Sequence, residues 1–245
     1  MGNTKSKPEV LSAETLAEMD ALIDKMSLDE KLGQIFQVDW RALRSTRLVD
    51  ALPLAWAQPV LSQWSPESPL EESFAPVVAA MTDSCLGSVL GGGGAHPDPN
   101  SAATWRQQAA ALQRAAVRSA CKLPLLIGND SVHGHPNLRG ATLYPHHIGL
   151  GCMTTARGEP DCDLVEQLAA LSARESFACG INWLFTPCLA VPRDLRWGRA
   201  YEGFSEDAKI VAALGAAEVK GVQRSSGVPC IACVKQCAPL RRHPT

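Results

Sequence analysis

The sequence has few aromatic residues and no excess of either charge. Aromatic residues make up 5% of the 245 residues, and 23 basic side chains stand against 25 acidic ones. A net charge of -2 gives no cationic field for binding nucleic acid through counterion release, so we expect no nucleic-acid partner. No stretch approaches the ~20 apolar residues of a membrane span, and the N-terminus lacks the apolar segment of a secretory signal. These absences predict a cytoplasmic globular protein.

The nine cysteines are scattered along the chain. Without an export signal, this distribution favours mostly reduced thiols over a disulfide framework. Cys230, Cys233 and Cys237 begin with a C-x-x-C spacing, but the second ligand pair of a zinc ribbon is missing. Because two of the three fall in an apolar strand candidate, burial is the favoured interpretation.

Hydrophobic periodicity predicts helices and strands in alternation. The N-terminal helix begins after Ser12, and Ser27 with Glu30 forms a capping box for the next. The predicted strands are 35–38, 86–90, 123–127, 181–185 and 230–234, and the main helices are 12–26, 104–120, 163–179 and one that follows Ser205. Strands that alternate with helices of this length pair in parallel, so the fold class is α/β. Residues 41–76 show no period and are predicted to form an irregular loop insertion.

Polar side chains concentrate in two loops that follow predicted strands, at 128–147 and 191–202. In parallel α/β folds, chemistry gathers at the carboxyl ends of the strands. Asp130 could accept two hydrogen bonds from sugar hydroxyls, or it could bond its own backbone as a turn residue. Arg196 and Arg199 offer planar donor groups, and Trp197 offers an apolar face for sugar C–H groups.

Two alternatives remain open for these loops. Asp194 and Glu202 could pair with the arginines and only hold the loop in place. His133 and His135 have the spacing of metal ligands in metal-dependent barrel hydrolases, but no further ligand set follows on later strands. Gly91 to Gly94 lack the Lys and Ser/Thr of a phosphate-binding loop. We therefore expect no metal and no cofactor.

Five segments resemble one known family in order and spacing. They read MSLDEKLGQ over 26–34, GSVL over 87–90, GNDSVHGH over 128–135, ATLYPH over 141–146 and RDLRWGR over 193–199. The chain resembles glycoside hydrolase family 3, in its β-glucosidase and exo-β-glucanase branch, over about residues 15–235.

This resemblance implies a (β/α)8-type barrel of which about five of the eight strands are present. It implies hydrolysis of O-glycosyl bonds that releases terminal β-linked glucose from β-glucosides or β-glucans, with retention through a covalent intermediate on an Asp and a Glu as acid/base. By position, Asp130, Arg199 and Lys235 match the family's substrate-binding residues. Supporting positions are His133, His135, Arg193, Asp194, Arg196, Trp197 and Glu202.

The departures from the family pattern lie mainly at the C-terminal end. Gln236 stands where the family has His, and residues 236–245 match nothing in it. Pro192 and Ala200 stand where some members have a pair of bracketing cysteines. The nucleophilic Asp in its Ser-Asp-Trp segment and the acid/base Glu are absent, so no catalytic residue is assigned and the chain alone is expected to be inactive. We expect the natural gene to continue beyond a break near Lys235.

The expected organisation is a flexible N-terminus over 1–11, a partial barrel over 12–235 and a non-family tail over 236–245. Three functional hypotheses remain: part of a β-glucosidase-type hydrolase, a non-catalytic sugar-binding fragment or pseudoenzyme, and, more weakly, a metal-dependent barrel hydrolase. Gly2 with Ser6 also fits the N-myristoylation pattern, which would give weak membrane association.

Overall fold

The computed structural model describes residues 11–39, 85–93 and 96–236. The predicted loop at 41–76, Gly2 and Cys237 lie outside these residues. None of the described helices has both the length and the apolar character needed to cross a bilayer.

Two capped helices and a strand form the N-terminal segment. Helix α1 spans Ala13–Lys25, and its N-cap Ser12 accepts a hydrogen bond from the Thr15 amide. Helix α2 spans Leu28–Ile35 with the predicted capping box between Ser27 and Glu30, and strand β1 follows at Gln37–Asp39. The apolar residues that recur at three- and four-residue steps in α1 are not buried: Leu16, Met19 and Ile23 are 45%, 46% and 46% exposed.

The rest of the described chain repeats the strand–helix unit. Strand β2 (Ser88–Leu90) leads to α3 (Ala102–Ala116), β3 (Leu126–Asn129) to α4 (His147–Gly151) and α5 (Cys162–Ala178), and β4 (Trp183–Leu184) to a 3-10 turn (Ala200–Glu202) and α6 (Ala208–Lys220). A π-helical turn at Gly221–Ser225 extends α6, and β5 is Ile231–Ala232. Gly180 follows α5 with φ +88°, a left-handed conformation that ends the helix.

The five described strands form one parallel sheet in chain order, β1-β2-β3-β4-β5. The α/β class is confirmed, and the sheet does not close into a barrel. The strands are shorter than predicted; β3 begins three residues later than expected and ends two later. The strands of the structure include only residues that are hydrogen-bonded to a neighbouring strand. The apolar runs in the sequence are longer, because buried residues continue beyond the hydrogen-bonded ones.

The main core lies between the sheet and α3 and α5. Val89, Ile127 and Leu184 of three successive strands are completely buried with Trp105 and Leu112 of α3. One face of α3 is buried, and it carries Trp105, Ala109, Leu112 and Ala116. This core fixes the strand ends from which the polar loops emerge.

One disulfide joins the segments on either side of β2 and α3. Cys85 bonds Cys121, with a Cα–Cα distance of 5.7 Å. The six other described cysteines are free, and Cys230 is buried near the carbonyls of Ala173 and Ile181. The expectation of mostly reduced thiols therefore misses this pair, because two cysteines 36 residues apart become neighbours only once α3 packs on the sheet.

Candidate functional site

The carboxyl ends of β3, β4 and β5 place the predicted binding residues together. Asp130 follows β3 directly, and its side chain is 52% exposed. The preceding Asn129 is buried and donates from Nδ2 to the Gly91 carbonyl at 2.7 Å, while Ser131 donates to Asn129 Oδ1. The backbone on both sides of Asp130 is thus anchored, and its carboxylate faces solvent.

Lys235 reaches this point from the segment after β5. Its amide donates to the Pro187 carbonyl at 3.0 Å, and its own carbonyl accepts from Leu189 at 3.0 Å. Its Nζ lies 3.3 Å from Asp130 Oδ1 and 3.4 Å from Glu202 Oε2. Lys235 therefore bridges two carboxylates that come from different loops.

Arg199 and Glu202 form a two-point ion pair across the 3-10 turn. Arg199 Nε and Nη2 donate to Glu202 Oε1 and Oε2 at 2.5 and 2.7 Å. These bonds hold the pKa of Glu202 below its usual value against the effect of its burial, and the nearby Lys235 lowers it further. Glu202 is only 8% exposed, so its ionised carboxylate is the inner member of the group.

We call the group of Asp130, Arg199, Glu202 and Lys235 the clamp. Two carboxylates and two cations face one another within 3.4 Å, so the formal charges cancel. A charge-balanced group that retains exposed acceptors on Asp130 and donors on Arg199 suits a neutral ligand with several hydroxyl groups better than an anion.

Gln236 and Cys188 lie beside the clamp. The Gln236 terminal amide contacts Arg199, Glu202 and the Cys188 thiol. Gln236 has φ +59°, a conformation that few side-chain-bearing residues adopt. Burial raises the pKa of the Cys188 thiol, which disfavours the reactive thiolate form.

His133 and His135, the two histidines of the metal-site alternative, make different contacts. His133 bonds the Tyr144 carbonyl through Nδ1 at 2.9 Å, and its ring lies 4.4 Å from the ring of His146. His135 is completely buried, edge-on to Trp105 at 4.9 Å, and burial lowers its pKa to about 4. Among the described residues, the one group with metal-ligand spacing is Glu30, Cys85 and Cys121, whose two sulfurs are joined in the disulfide.

The outer part of the 191–202 loop is organised by its own contacts. Arg196 pairs with Asp194 at 2.7 Å with its side chain 77% exposed, and Arg193 donates to the Glu206 carbonyl. Trp197 is half-buried and its amide bonds the Asp194 carbonyl. Among the predicted supporting residues, Glu202 contacts Arg199 and Lys235 directly and is connected to Asp130 through Lys235.

Three buried residues behind the clamp were missed by the sequence analysis. His147 donates from Nδ1 to the backbone carbonyl of Glu202 at 2.7 Å and contacts the Glu218 carboxylate through Nε2 at 3.1 Å. Thr186 donates to the same carboxylate. Adjacent histidines at 146 and 147 were the available signal, but nothing in the sequence places Glu218, 71 residues away, beside them.

Comparisons with known proteins place the chain in a family. Residues 27–238 match the model of the glycosyl hydrolase family 3 N-terminal domain. The lysosomal beta glucosidase of Dictyostelium discoideum is 28% identical over 206 residues, which cover 84% of this chain and 22% of that protein. The chain spans about a fifth of the length of the curated relatives that it matches, since a periplasmic beta-glucosidase of Salmonella typhimurium is covered over 20%.

Solved structures show the same fold. The exo-1,3/1,4-beta-glucanase ExoP of a Pseudoalteromonas species superposes with a TM-score of 0.69 and 32% identity, covering 96% of this chain and 33% of that one. A beta-glucosidase of Listeria innocua in complex with laminaribiose gives a TM-score of 0.60 at 27% identity, over 92% of this chain and 26% of that one. Together with the family match, these similarities show that the chain belongs to glycoside hydrolase family 3, in the N-terminal domain of that family.

Proposed function

We propose that this chain supplies part of the glucose subsite of a β-glucosidase or exo-β-glucanase that hydrolyses O-glycosyl bonds. The observation that carries the proposal is the clamp, in which Arg199 and Lys235 contact Glu202, and Lys235 also contacts Asp130 at 3.3 Å. These residues come from the segments that follow three different strands. A terminal β-linked glucosyl unit presents adjacent hydroxyls that could donate to Asp130 and accept from Arg199 and Lys235. The laminaribiose complex of the Listeria relative supports an oligosaccharide ligand of this class.

The proposed reaction is retaining hydrolysis, with a covalent glycosyl-enzyme formed on an Asp and a Glu as acid/base. No residue of this chain matches the family's Ser-Asp-Trp nucleophile segment. The clamp carboxylates are already engaged: Glu202 holds Arg199 and Lys235, and Asp130 contacts Lys235. The part played by this chain is therefore substrate binding, and the reacting carboxylates belong to segments outside it.

A second candidate is a non-catalytic sugar-binding fragment that acts as this chain alone. The exposure of Asp130, at 52% for its side chain, favours it because the subsite is accessible without further segments. Sequencing of the full-length transcript separates the two. A continuation past the Lys235 codon with a Ser-Asp-Trp segment supports the hydrolase, and a transcript that ends at Thr245 supports the binding fragment.

We predict that the purified chain does not release p-nitrophenol from an aryl β-glucoside above the uncatalysed rate. Binding groups alone do not supply the nucleophile on which covalent glycoside hydrolysis depends. The measurement is steady-state absorbance, with a complete β-glucosidase as positive control. Steady release by the purified chain above the uncatalysed rate would contradict this prediction.

We also predict that Asp130→Ala weakens laminaribiose binding about 10- to 100-fold, because hydrogen bonds to a charged group contribute ~1.5–3 kcal/mol each. Titration calorimetry of the two proteins measures the ratio. Asp24→Ala is the control, since it removes an exposed carboxylate from α1. Equal loss in both variants, or no loss in Asp130→Ala, would exclude Asp130 as a sugar acceptor.

A further inference from the structure

A buried ion pair lies directly behind the clamp, and the sugar-binding role does not use it. His147 begins α4 and is completely buried, and Glu218 of α6 is 4% exposed. Their side chains meet with Nε2 3.1 and 3.2 Å from the two carboxylate oxygens. Thr186, which follows β4, donates to the carboxylate and lies 3.5 Å from the same nitrogen. Charged side chains are almost never fully buried unless they are paired, as these two are.

The hydrogen bonds fix where the protons are. A backbone carbonyl only accepts, so Nδ1 of His147 must carry the proton that it shares with the Glu202 carbonyl at 2.7 Å. A neutral ring with its proton on Nδ1 would present the bare Nε2 lone pair to the Glu218 carboxylate. That contact is repulsive unless a second proton lies between the two groups. A proton shared by His147 and Glu218 removes this repulsion, and such a proton belongs to the pair and can titrate.

The surroundings favour the doubly protonated ring. Burial by itself lowers the pKa of His147, but the charge and hydrogen bond of Glu218 and the Glu202 carbonyl raise it overall above 6.5. Lys235 acts in the opposite direction. The neighbouring His146 has its pKa lowered to about 4, first by burial and then by His133 and His147, and so stays neutral at pH 6 to 9. The Phe204 ring covers His147 at 4.4 Å.

This pair is connected to the clamp through one residue. The Glu202 carbonyl accepts from His147, and the carboxylate of the same residue holds Arg199 and Lys235. The Glu202 amide also donates to the Arg199 carbonyl at 3.0 Å, which links the two residues through the backbone of the 3-10 turn. A change at Nε2 that tilts the His147 ring would move the carbonyl that it binds, and the Glu202 carboxylate with it.

We propose that the His147–Glu218 pair is a proton-dependent positioning element for the sugar subsite, which keeps Glu202 in the place where it aligns Arg199 and Lys235. His147 is a positioning residue and contacts no sugar. The inference rests on the proposed sugar-binding function. Loss of the shared proton at high pH loosens the 3-10 turn and weakens sugar binding, while the charges of Asp130, Arg199 and Lys235 stay unchanged.

The test follows laminaribiose affinity between pH 6 and 9 in three proteins. In the wild type, affinity is expected to fall about fivefold as pH rises through the His147 transition, the factor for one hydrogen bond of ordinary net strength. Glu218→Gln is expected to give a flat profile, because its amide can donate to a neutral Nε2 and the site then holds no proton that titrates. His146→Gln removes the adjacent neutral imidazole and is expected to keep the wild-type pH midpoint.

A second readout does not depend on sugar. In protein labelled with ¹⁵N at histidine, the His147 ring nitrogens should show the doubly protonated form at pH 6 and lose it at the midpoint of the affinity change. The protection of the amides in the turn 200–202, corrected for the base-catalysed rise of the intrinsic exchange rate, should fall over the same range in the wild type and not in Glu218→Gln. If no sugar binds to any variant while these signals appear, the sugar function fails and the positioning link stands. The inference is overturned if the wild type and Glu218→Gln show the same dependence of affinity on pH. It is also overturned if the amide protection of the turn 200–202 does not change when His147 titrates.

Discussion

Replacing Glu218 by leucine is expected to lower the free energy of unfolding by about 3–5 kcal/mol, because removing one partner of a buried ion pair leaves the other uncompensated. His147 would keep a polar Nε2 in an apolar pocket, and the Thr186 hydroxyl would lose its acceptor. His147 and Thr186 are at most 1% exposed, so water cannot replace the lost contacts without opening the site.

Glu218→Gln is the matched control for this loss. It preserves shape, keeps an acceptor for Thr186 and offers a donor to the neutral His147 ring, so about 1 kcal/mol is expected, the net strength of one hydrogen bond. Urea denaturation of the three proteins gives the comparison. Equal losses for leucine and glutamine would mean that the negative charge, rather than the satisfied contacts, carries the stability.

The pH dependence of stability follows from the same pair. The folded-state pKa of His147 is raised above its unfolded value near 6.5. The stabilisation by its protonation is therefore fully present below about pH 6.5 and is lost as pH rises through the folded pKa. The wild type should thus lose stability relative to Glu218→Gln on the alkaline side. A constant difference between the two from pH 6 to 9 would contradict this.

The order of the elements could be predicted from sequence because the signals are local. The caps of α1 and α2 depend on residues three apart, and the buried stripe of α3 on steps of three and four. Strand ends were less predictable, since pairing depends on neighbours from other parts of the chain. The exposed apolar face of α1 also shows that periodicity identifies a helix but not what covers it.

The binding residues could be located through family motifs, but their contacts could not. Asp130 and Lys235 are 105 residues apart, and only the parallel order of β3, β4 and β5 makes them neighbours. Glu202 was predicted only as a supporting residue, although in the structure it joins both cations. His147 and Glu218 belong to no catalytic motif, and their pairing depends on how α4 packs against α6.

The Cys85–Cys121 disulfide is a second feature that the sequence analysis did not predict, because its cysteines are far apart in the chain. Its removal should lower the stability of the protein strongly. It closes a loop of 36 residues that contains β2 and α3. Loop-closure entropy for that length predicts that Cys121→Ser lowers the free energy of unfolding by about 3–4 kcal/mol. The disulfide also lies next to the hydrogen bonds that join the N-terminal segment to β2. Gln34 Nε2 donates to the Cys85 carbonyl at 2.7 Å, and the Gly87 amide donates to the Gly33 carbonyl at 2.9 Å.

Urea denaturation with and without a phosphine reductant tests this prediction. The reductant should shift the wild-type midpoint down to that of Cys121→Ser and leave the variant unchanged. Cys152→Ser, which removes an exposed free thiol, should behave as the wild type under both conditions. A disulfide stabilises a protein mainly by restricting its unfolded chain, so Cys121→Ser should lower stability without changing the folded site. Sugar affinity should therefore be retained under conditions where the variant remains folded. If the reductant does not change the urea midpoint of the wild type, the two sulfurs contribute no covalent stabilisation.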